Sequence, residues 1–390
     1  MSEFLLNEVC ELIVDCPHTT AKDEGEGFPL VRTPNIGKGR LVYDGMHRVC
    51  EDVYNKRNAR AIPQENDLIF AREATAGNVA LIQKGEKVCL GQRTVLIRPN
   101  QEIVNPAFLT YFLLAPKQQY NLLSTANGAT VAHVNLPTIR NLKIDLPELS
   151  TQHRIATILS RYDSLIENYQ KQIKLLEEAA QRLYKEWFVD LHFPGHENTK
   201  IVDGVPEGWG KKKLVDLVDV QYGYAFDGKL FNSNREGMPI LRIRNIPEGL
   251  TSDYTTEEAS NDYIVHNGDI VVGMDGIFHI NSWSGDDAYL VQRACSFRPK
   301  EECMKGFIFQ AIQEPIKFFE KTLVGATVAH LGKKHIDSIE LCIPKNFELY
   351  KPFSKFYNQR QGLLSQIRLL TEARDRLLPK LMSGEINVES

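Results

Sequence analysis

The sequence predicts an α+β protein in which two repeated domains of mixed helix and strand are separated by two long helices. These helices are expected to form an antiparallel coiled coil, with a pseudo-twofold relation between the halves. Two repeats carry this prediction. GATVAH occurs at residues 128–133 and again at 325–330. QIKLLEEAAQRL at residues 172–183 and QIRLLTEARDRL at 366–377 match at eight of twelve positions, and each follows one domain.

The boundaries of these parts follow from the repeat and from changes in composition. We call the two repeated domains the first module and the second module. A segment rich in Gly, Pro, His and Asp lies between the halves and lacks periodicity, which is typical of a linker. The predicted division is 1–150, first module; 151–189, first helix; 190–210, linker; 211–350, second module; 351–384, second helix; and 385–390, tail.

Within the first module, short segments rich in Val, Ile, Leu and Tyr are bounded by Gly, Pro, Asn or Asp, which predicts strands. Asn105 followed by Pro106 predicts the start of a helix, because Asn caps free amides and Pro fits the first turn. Each module is therefore expected to be mixed α and β. The predicted strands are residues 31–36, 67–71, 79–82, 94–98 and 143–147.

The two long helices each carry an apolar stripe. In the first, apolar residues recur at spacings of three and four from Ile155 to Trp187, which indicates a partner helix along that length. In the second, a similar stripe runs from Phe356 to Leu381 and ends before Gly384. Either helix could instead pack on its own module, but two matching stripes favour mutual pairing.

Composition limits the function classes. The net charge is −4, from 46 basic and 50 acidic side chains, which argues against a strongly basic, non-specific nucleic-acid binder. Seven cysteines without a CxxC pair are typical of reduced thiols in the cytoplasm, where we expect this protein. No apolar run approaches the roughly 20 residues that a membrane span needs.

Several enzyme signatures are absent from the sequence. There is no GxxxxGK[ST] motif, and no GxGxxG follows a strand. Residues 105–108, NPAF, resemble an adenine methyltransferase motif but lack its second proline and a preceding cofactor loop. His192 and His196 have no partner at metal-ligand spacing. We therefore expect no catalytic residue and no metal site, and a binding protein fits better than an enzyme.

Residues 146–166, LPELSTQHRIATILSRYDSLI, resemble the specificity subunits of type I restriction–modification systems. The resemblance continues through LLEEAAQRLYKEWFVDLHFPG and VDGVPEGWGKKKLVDL and covers essentially the whole chain. Two departures occur: Glu148 stands in place of a second proline, and Thr151 precedes Gln152 where the family has Glu. The second copy, at residues 342–364, is more divergent.

The resemblance implies two target-recognition domains held apart by an antiparallel pair of helices. Each domain would read one half of a bipartite, asymmetric site in double-stranded DNA. The subunit would be non-catalytic and bind no cofactor itself. It would recruit two modification subunits, which methylate adenine with S-adenosylmethionine, and restriction subunits, which use ATP and Mg²⁺.

Comparison of the two modules suggests which residues contact DNA. Residues alike in both modules cannot alone distinguish two half-sites, so they suit scaffold or phosphate contacts. Residues that differ on matching loops suit base reading, because base edges carry the sequence information. The residues alike in both modules are Arg32, Asn35, Arg93 and Thr130, matched by Arg242, Asn245, Arg293 and Thr327. The differing residues are Lys38, Arg40, Arg72, Glu73, Thr75 and Asn78 in the first module, and Arg244, Glu248, Met274, Asp275, His279 and Asn281 in the second.

Two other functions stay open at this point. A protein-interaction scaffold with two modules on a coiled coil would show no salt-dependent DNA binding even with partners present, whereas a DNA-recognition subunit would show a steep salt dependence. A stand-alone methyltransferase or nuclease would bind S-adenosylmethionine or cut DNA by itself. The acidic stretch between Glu248 and Asp287 is expected to lie away from DNA or to face a modification subunit.

Overall fold

A computed structural model of the chain describes residues 2–124, 133–322 and 329–388. Contacts divide the chain into two compact units. We call residues 1–165 with 370–390 the first unit and residues 166–369 the second unit. Each unit therefore contains one repeated module and a part of each long helix. None of the helices in the described ranges has the length and apolar composition needed to cross a membrane.

The first module is built on a four-stranded antiparallel sheet in the order β2-β8-β5-β6. A second sheet, β4-β3-β7, pairs β3 with β7 in parallel, and β1 pairs with β9 near the two ends of the module. The described strands are β1 (Ser2–Leu5), β2 (Cys10–Asp15), β3 (Phe28–Val31), β4 (His47–Val49), β5 (Leu68–Ala71), β6 (Val79–Leu81), β7 (Cys89–Leu90), β8 (Thr94–Pro99) and β9 (Lys143–Leu146). The helices are α1 (Glu51–Arg57), α2 (Pro106–Leu114), α3 (Pro116–Ser124), α4 (Leu136–Arg140) and the long α5 (Leu149–Tyr184).

The predicted strands at residues 67–71, 79–82, 94–98 and 143–147 are confirmed, as is the helix capped by Asn105, whose Oδ1 accepts from Phe108 N at 2.9 Å. The strand predicted at residues 31–36 is wrong beyond Val31, because a 3₁₀ turn occupies Thr33–Asn35. Pro34 has no amide to give to a sheet, and the Asn35 side chain closes the turn by accepting from Arg32 N at 3.2 Å.

The second module repeats this plan and adds strands. Its four-stranded sheet β13-β21-β18-β19 matches β2-β8-β5-β6, and its five-stranded sheet again has one parallel pair, β15 with β20. Its strands, with the hairpin before them, are β10 (Ile201–Val202), β11 (Val205–Pro206), β12 (Trp209–Lys213), β13 (Val218–Tyr222), β14 (Phe231–Asn232), β15 (Met238–Leu241), β16 (Tyr254–Thr255), β17 (Ile264–Val265), β18 (Ile270–Gly273), β19 (Ile280–Ser282), β20 (Ala288–Leu290), β21 (Ala294–Pro299) and β22 (Glu340–Pro344). Its helices are α6 (Leu214–Leu217), α7 (Lys305–Ala311), α8 (Gln313–Thr322), α9 (Lys333–Asp337) and the long α10 (Lys351–Ser383).

The same ion pair supports the central strand in both modules. Asp67, only 1% exposed, accepts two hydrogen bonds of 2.8 Å from Arg98. In the second module Arg298 binds Asp269 at 3.1 Å. Because each carboxylate lies just before the buried strand β5 or β18 and each arginine lies on the neighbouring strand, the pair fixes the register of these strands.

In the first unit, a buried carboxylate holds the long helices. Asp163 of α5 accepts from Arg374 Nη1 of α10 at 2.6 Å and from the Tyr111 hydroxyl of α2 at 2.5 Å. Burial, the charge of Asp163 and this hydrogen bond together raise the pKa of Tyr111. Burial alone would lower the pKa of Arg374, but its hydrogen bonds to Asp163 and Asp375 outweigh burial and raise it. Here α10 runs antiparallel to α5, because Asp163 contacts Arg374 while Arg154, nearer the start of α5, donates to Val388 O in the segment that follows α10.

In the second unit, a buried arginine takes this place. Arg360 of α10 is 8% exposed and donates to Glu177 of α5 at 2.6 Å. It also donates to Ser282 Oγ at 2.5 Å and to Asn281 Oδ1 at 2.8 Å, both on β19. Further along, the Tyr184 ring meets the Phe353 ring edge-on, with centroids 6.3 Å apart, so the two helices run antiparallel here also. The predicted pairing of the helices is thus confirmed within each unit.

Near the start of each long helix, a buried side chain donates to the carbonyl of the proline that ends the preceding strand region. The side chain that does this differs between the two copies. At the start of α5, Gln152 Nε2 donates to the Pro147 carbonyl at 2.9 Å and to Ile103 O at 3.2 Å. Its Oε1 accepts from Asn105 N at 2.8 Å. Before α10, the buried Tyr350 hydroxyl donates to the Pro344 carbonyl, also at 2.9 Å. The glutamine of the first copy therefore has a tyrosine as its counterpart in the second.

Candidate functional site

A charged cluster forms at the end of strand β5 in the first module. Glu73 accepts from His133 Nδ1 at 2.6 Å with one oxygen and pairs with Arg93 Nη1 through the other. Glu73 is largely buried, whereas the Arg93 side chain is 55% exposed. We call Glu73, Arg93 and His133 the first cluster. Its carboxylate holds an exposed guanidinium in place and leaves further N–H groups of that guanidinium for a ligand.

The second module contains the same arrangement at the end of β18. Asp275 accepts from His330 Nδ1 at 2.5 Å and pairs with Arg293 Nη1 at 3.1 Å. The Arg293 side chain is 67% exposed. We call Asp275, Arg293 and His330 the second cluster. The same three chemical groups thus occur at corresponding places in both modules.

Matching backbone hydrogen bonds bring the three segments of each cluster together. Arg72 N donates to Arg93 O, and Val134 N donates to Arg72 O, both at 3.0 Å. The corresponding bonds of the second module, from Met274 N to Arg293 O and from Leu331 N to Met274 O, measure 2.8 and 2.7 Å. Arg93 and Arg293 also share a left-handed backbone, with φ of 65° and 71°. The backbone around the cluster is therefore the same in both modules, including the left-handed conformation at the arginine.

The residue beside each carboxylate differs between the clusters. In the first module it is Arg72, 8% exposed, which donates to Val134 O at 2.9 Å and to His133 Nε2 at 2.8 Å. In the second module it is the buried Met274, which has no charge. His133 is therefore bonded at both ring nitrogens, whereas His330 is bonded at Nδ1.

A repeated 3₁₀ turn is held by matching asparagines. Asn35 Oδ1 accepts from Arg32 N, and Asn245 Oδ1 accepts from Arg242 N at 2.9 Å. Asn35 is 2% exposed and also donates to Val42 O at 3.1 Å. Arg242 lies over the Phe231 ring, 5.2 Å from its centre. Asn35 in particular is occupied within its own module, so it shapes the turn.

The loop after β5 is tied to this turn. Thr75 Oγ1 donates to Thr33 O at 2.7 Å, and Asn78 Nδ2 donates to Ile36 O at 2.9 Å. In the second module Asn281 Nδ2 donates to Ile246 O at 2.9 Å, which is the carbonyl that corresponds to Ile36 O. The sequence comparison treats Asn78 and Asn281 as differing residues, but both donate to the corresponding carbonyl of the turn. Loops of different length hid this correspondence.

The remaining sequence-predicted residues have mixed surroundings. Lys38 is exposed, whereas Arg40 is half-buried in a small cavity lined also by Tyr111 and Ser160. Arg244 is exposed but donates three hydrogen bonds to Asp253, two from Nη2 at 2.7 and 2.6 Å and one from Nε at 3.2 Å. His279 is half-buried. Thr130 and Thr327 lie outside the described residues.

The acidic stretch of the second module is largely paired with basic groups of the same unit. Asp253 binds Arg244, and Asp275 lies in the second cluster. Three further pairs are Asp269 with Arg298, Asp286 with Arg368 and Asp287 with His266. Much of its charge is therefore balanced locally.

The sequence comparison includes Glu73 and Asp275 among the differing loop residues, but it assigns no role to His133 and His330 and does not predict that these residues meet. A signal was present, since His133 and His330 recur in the repeat together with Arg93 and Arg293, and an acidic residue follows each central strand. In the described part of the chain, no group of three or more His, Cys, Asp or Glu side chains is arranged to hold a metal ion.

Comparison with known proteins gives one family. The family described as type I restriction modification DNA specificity domain matches residues 1–178 and 206–368. The type I restriction enzyme MjaIX specificity subunit of Methanocaldococcus jannaschii is 26% identical over 407 residues, covering 96% of this chain and 90% of that protein. The MjaVIII specificity subunit of the same organism is 28% identical over 398 residues, with the same coverage. The crystal structure of the type I restriction–modification S subunit from M. genitalium aligns over 97% of this chain and 95% of that one. Its TM-score is 0.57 at 16% identity, which shows a shared fold.

Proposed function

This chain belongs to the family of type I restriction–modification DNA specificity domains, and from that premise we propose that each of its modules reads one half of a bipartite, asymmetric DNA site. The observation that carries the proposal is the duplicated cluster. An exposed arginine with a left-handed backbone, paired with a carboxylate, occurs at the same place in both modules. A guanidinium fixed in this way loses little conformational freedom on binding a phosphate.

The residues around the clusters divide by their surroundings into two groups. Arg93 and Arg293, with the exposed Lys38, are proposed to contact the DNA backbone and to set the register of each module on the duplex. Asn35, Arg72, Thr75, Asn78 and Asn281 are proposed to shape the loops, because their side chains bind backbone or side-chain groups of their own unit. Base reading is then assigned to neighbouring positions that differ, such as His279.

We further propose that the long helices carry the partner subunits. In the second unit, Leu175 of α5 is 64% exposed and lines an apolar groove with Leu176, Gly362 and Leu363. Such a surface suits the helices of a partner protein. The expected partners are two modification subunits, which bind S-adenosylmethionine, and restriction subunits, which bind ATP and Mg²⁺. This chain is then non-catalytic and acts in the cytoplasm, where the DNA is.

A map of adenine methylation in the host genome, with and without this gene, tests the proposal. We expect one split motif to lose methylation when the gene is deleted and to regain it on complementation. Complementation with Arg93→Ala and Arg293→Ala together is expected to reduce methylation of that motif, whereas Lys200→Ala, at an exposed residue of the segment between the modules, is the control. A map that does not change on deletion, in a host with active modification subunits, contradicts the proposal.

A further inference from the structure

The second cluster has an open hydrogen-bonding position that the first lacks. His330 gives its Nδ1 proton to Asp275, and its side chain is 58% exposed. Among the described residues, its Nε2 has no hydrogen-bond partner. In the first cluster, Nε2 of His133 is 2.8 Å from Arg72 Nη2. Arginine only donates hydrogen bonds, so this nitrogen must accept, and with Nδ1 giving its proton to Glu73 the ring is neutral and fully occupied.

This difference changes the charge that each cluster can present. The first cluster with Arg72 has two arginines and one carboxylate, so it keeps one net positive charge. A second proton on His133 would place two N–H groups head to head. The second cluster has one arginine and one carboxylate, with Met274 in place of Arg72. It gains a net positive charge when Nε2 of His330 takes up a proton, which displaces no hydrogen bond within the described part of the chain.

The groups around His330 are compatible with this protonation. Asp275 accepts the Nδ1 proton and also binds Arg293. A third titratable group, His335, lies across Gly332, and its Nδ1 accepts from Gly332 N at 3.0 Å. The Asp275 carboxylate stabilises a charged imidazole and Arg293 opposes it, whereas His335, whose Nδ1 accepts here, adds no positive charge in this arrangement.

We infer that His330 Nε2 and the guanidinium of Arg293 form a phosphate-binding subsite in the second module, with no counterpart at His133, that strengthens DNA binding as the pH falls. The inference rests on the proposed DNA-recognition function. The ligand class is a phosphodiester of the DNA backbone, because a protonated imidazole beside a guanidinium offers two donors with positive charge. The half of the site read by the second module is then held more tightly at acidic pH, whereas the other half is not.

The test uses the full-length chain and a fluorescein-labelled duplex of random sequence, since a phosphate contact does not depend on sequence. Affinity is measured against salt concentration at about pH 6 and about pH 8. We expect binding to be about tenfold tighter at the lower pH, as one charge-assisted hydrogen bond provides. The slope of log K against log salt should steepen by about 0.9 for one added phosphate contact.

Matched variants assign the effect to His330. His330→Gln should abolish the pH difference, whereas His133→Gln and His335→Gln should leave it in place. Met274→Arg installs the partner present in the first module and should also abolish it. Arg72→Met removes that partner and should give the first module a pH response of its own. Circular dichroism melting identifies any variant that fails to fold, and the exposed His330 makes its own variant the safest of the set.

The outcomes separate this inference from the function on which it rests. If the wild-type chain binds DNA in a salt-dependent way but His330→Gln keeps the full pH difference, the subsite is wrong and the proposed function stands. If neither the wild-type chain nor any variant shows salt-dependent binding at either pH, the proposed function is contradicted as well. Retention of the pH difference in Met274→Arg would contradict the role assigned to the open Nε2.

Discussion

The first and second units hold their share of the long helices with opposite charges. In the first unit the buried group is the carboxylate of Asp163, which accepts from Arg374 and Tyr111. In the second unit it is the guanidinium of Arg360, which donates to Glu177, Ser282 and Asn281. The two modules share strand order and connectivity, so the fold tolerates a buried group of either sign if its hydrogen bonds are satisfied.

The side chain at the start of each long helix also differs between the copies, since the Pro147 carbonyl accepts from Gln152 and the Pro344 carbonyl accepts from Tyr350. The two clusters, in contrast to these positions, are alike in both copies. Both retain an arginine, a carboxylate and a histidine in one geometry on an exposed surface, although packing does not require these side chains there. The buried side chains that hold the long helices differ between the copies, whereas the cluster is the same in both although its arginine is exposed. That contrast favours function as the reason for the cluster.

The largest expected effect is that of Arg374→Ala, which should lower the free energy of unfolding by about 3 kcal/mol, because it leaves the buried Asp163 carboxylate without its counter-charge. Arg360→Ala should cost about 2 kcal/mol, because the acceptors it leaves are neutral or partly exposed. Urea unfolding followed by circular dichroism measures both. Tryptophan fluorescence reports the second unit, since Trp187, Trp209 and Trp283 all lie there.

Asp163→Asn in the Arg374→Ala background provides the control for this comparison. The double variant should recover part of the lost stability, because an amide needs no counter-charge. If the double variant is less stable than Arg374→Ala, the cost arises from lost packing of the arginine stem and the comparison of charges does not hold.

The next largest losses of unfolding free energy are expected for variants at the starts of the long helices. Gln152→Ala should cost about 2 kcal/mol, because it leaves Asn105 N, Ile103 O and Pro147 O without their partner in a buried place. Tyr350→Phe removes a single hydrogen bond and should cost about 1 kcal/mol. Urea unfolding again provides the measurement. Tyr120→Phe is the control and should change stability little, because Tyr120 is 74% exposed.

The smallest expected effects concern the clusters themselves. Arg93→Ala and Arg293→Ala should each reduce the salt slope of DNA binding by about 1. Each should also lower the free energy of unfolding by about 1 kcal/mol, because the largely buried Glu73 or Asp275 then keeps only its histidine partner. Alanine keeps the same left-handed backbone cost, so only the side chain is tested. Fluorescence anisotropy at several salt concentrations, with Arg182→Ala as the control, provides the measurement. An effect from one arginine alone would show that the modules contact the backbone differently despite their matching geometry.

Local patterns in the sequence were sufficient for much of the fold. The apolar runs at β5 and β8, the cap at Asn105 and the stripe of α5 depend on neighbouring residues, and the structure confirms them. The strand prediction extended through Thr33–Asn35 because the segment begins and ends with the strand-forming residues Val31 and Ile36, whereas the Asn35 side chain closes a turn through a hydrogen bond.

The candidate site was harder to predict for a physical reason. The members of the first cluster are separated by 20 and 60 residues along the chain, so only the folded backbone brings them together. Chemical type alone also could not separate Asn78, which is tied to Ile36 O, from a base-reading asparagine. The repeat was the best guide available, because it marked His133 and His330 without indicating what they contact.

The left-handed turns at Arg93 and Arg293 have a consequence for anyone who engineers this scaffold. A side chain in that backbone conformation costs roughly 1 kcal/mol or more relative to glycine. Glycine at both positions is therefore the obvious choice for a more heat-resistant variant, and a stability screen would select it. That variant would lose the two guanidinium groups that the clusters hold. The search for thermostability in this protein should exclude these two positions, where the ordinary rules of backbone preference and the requirements of the site conflict.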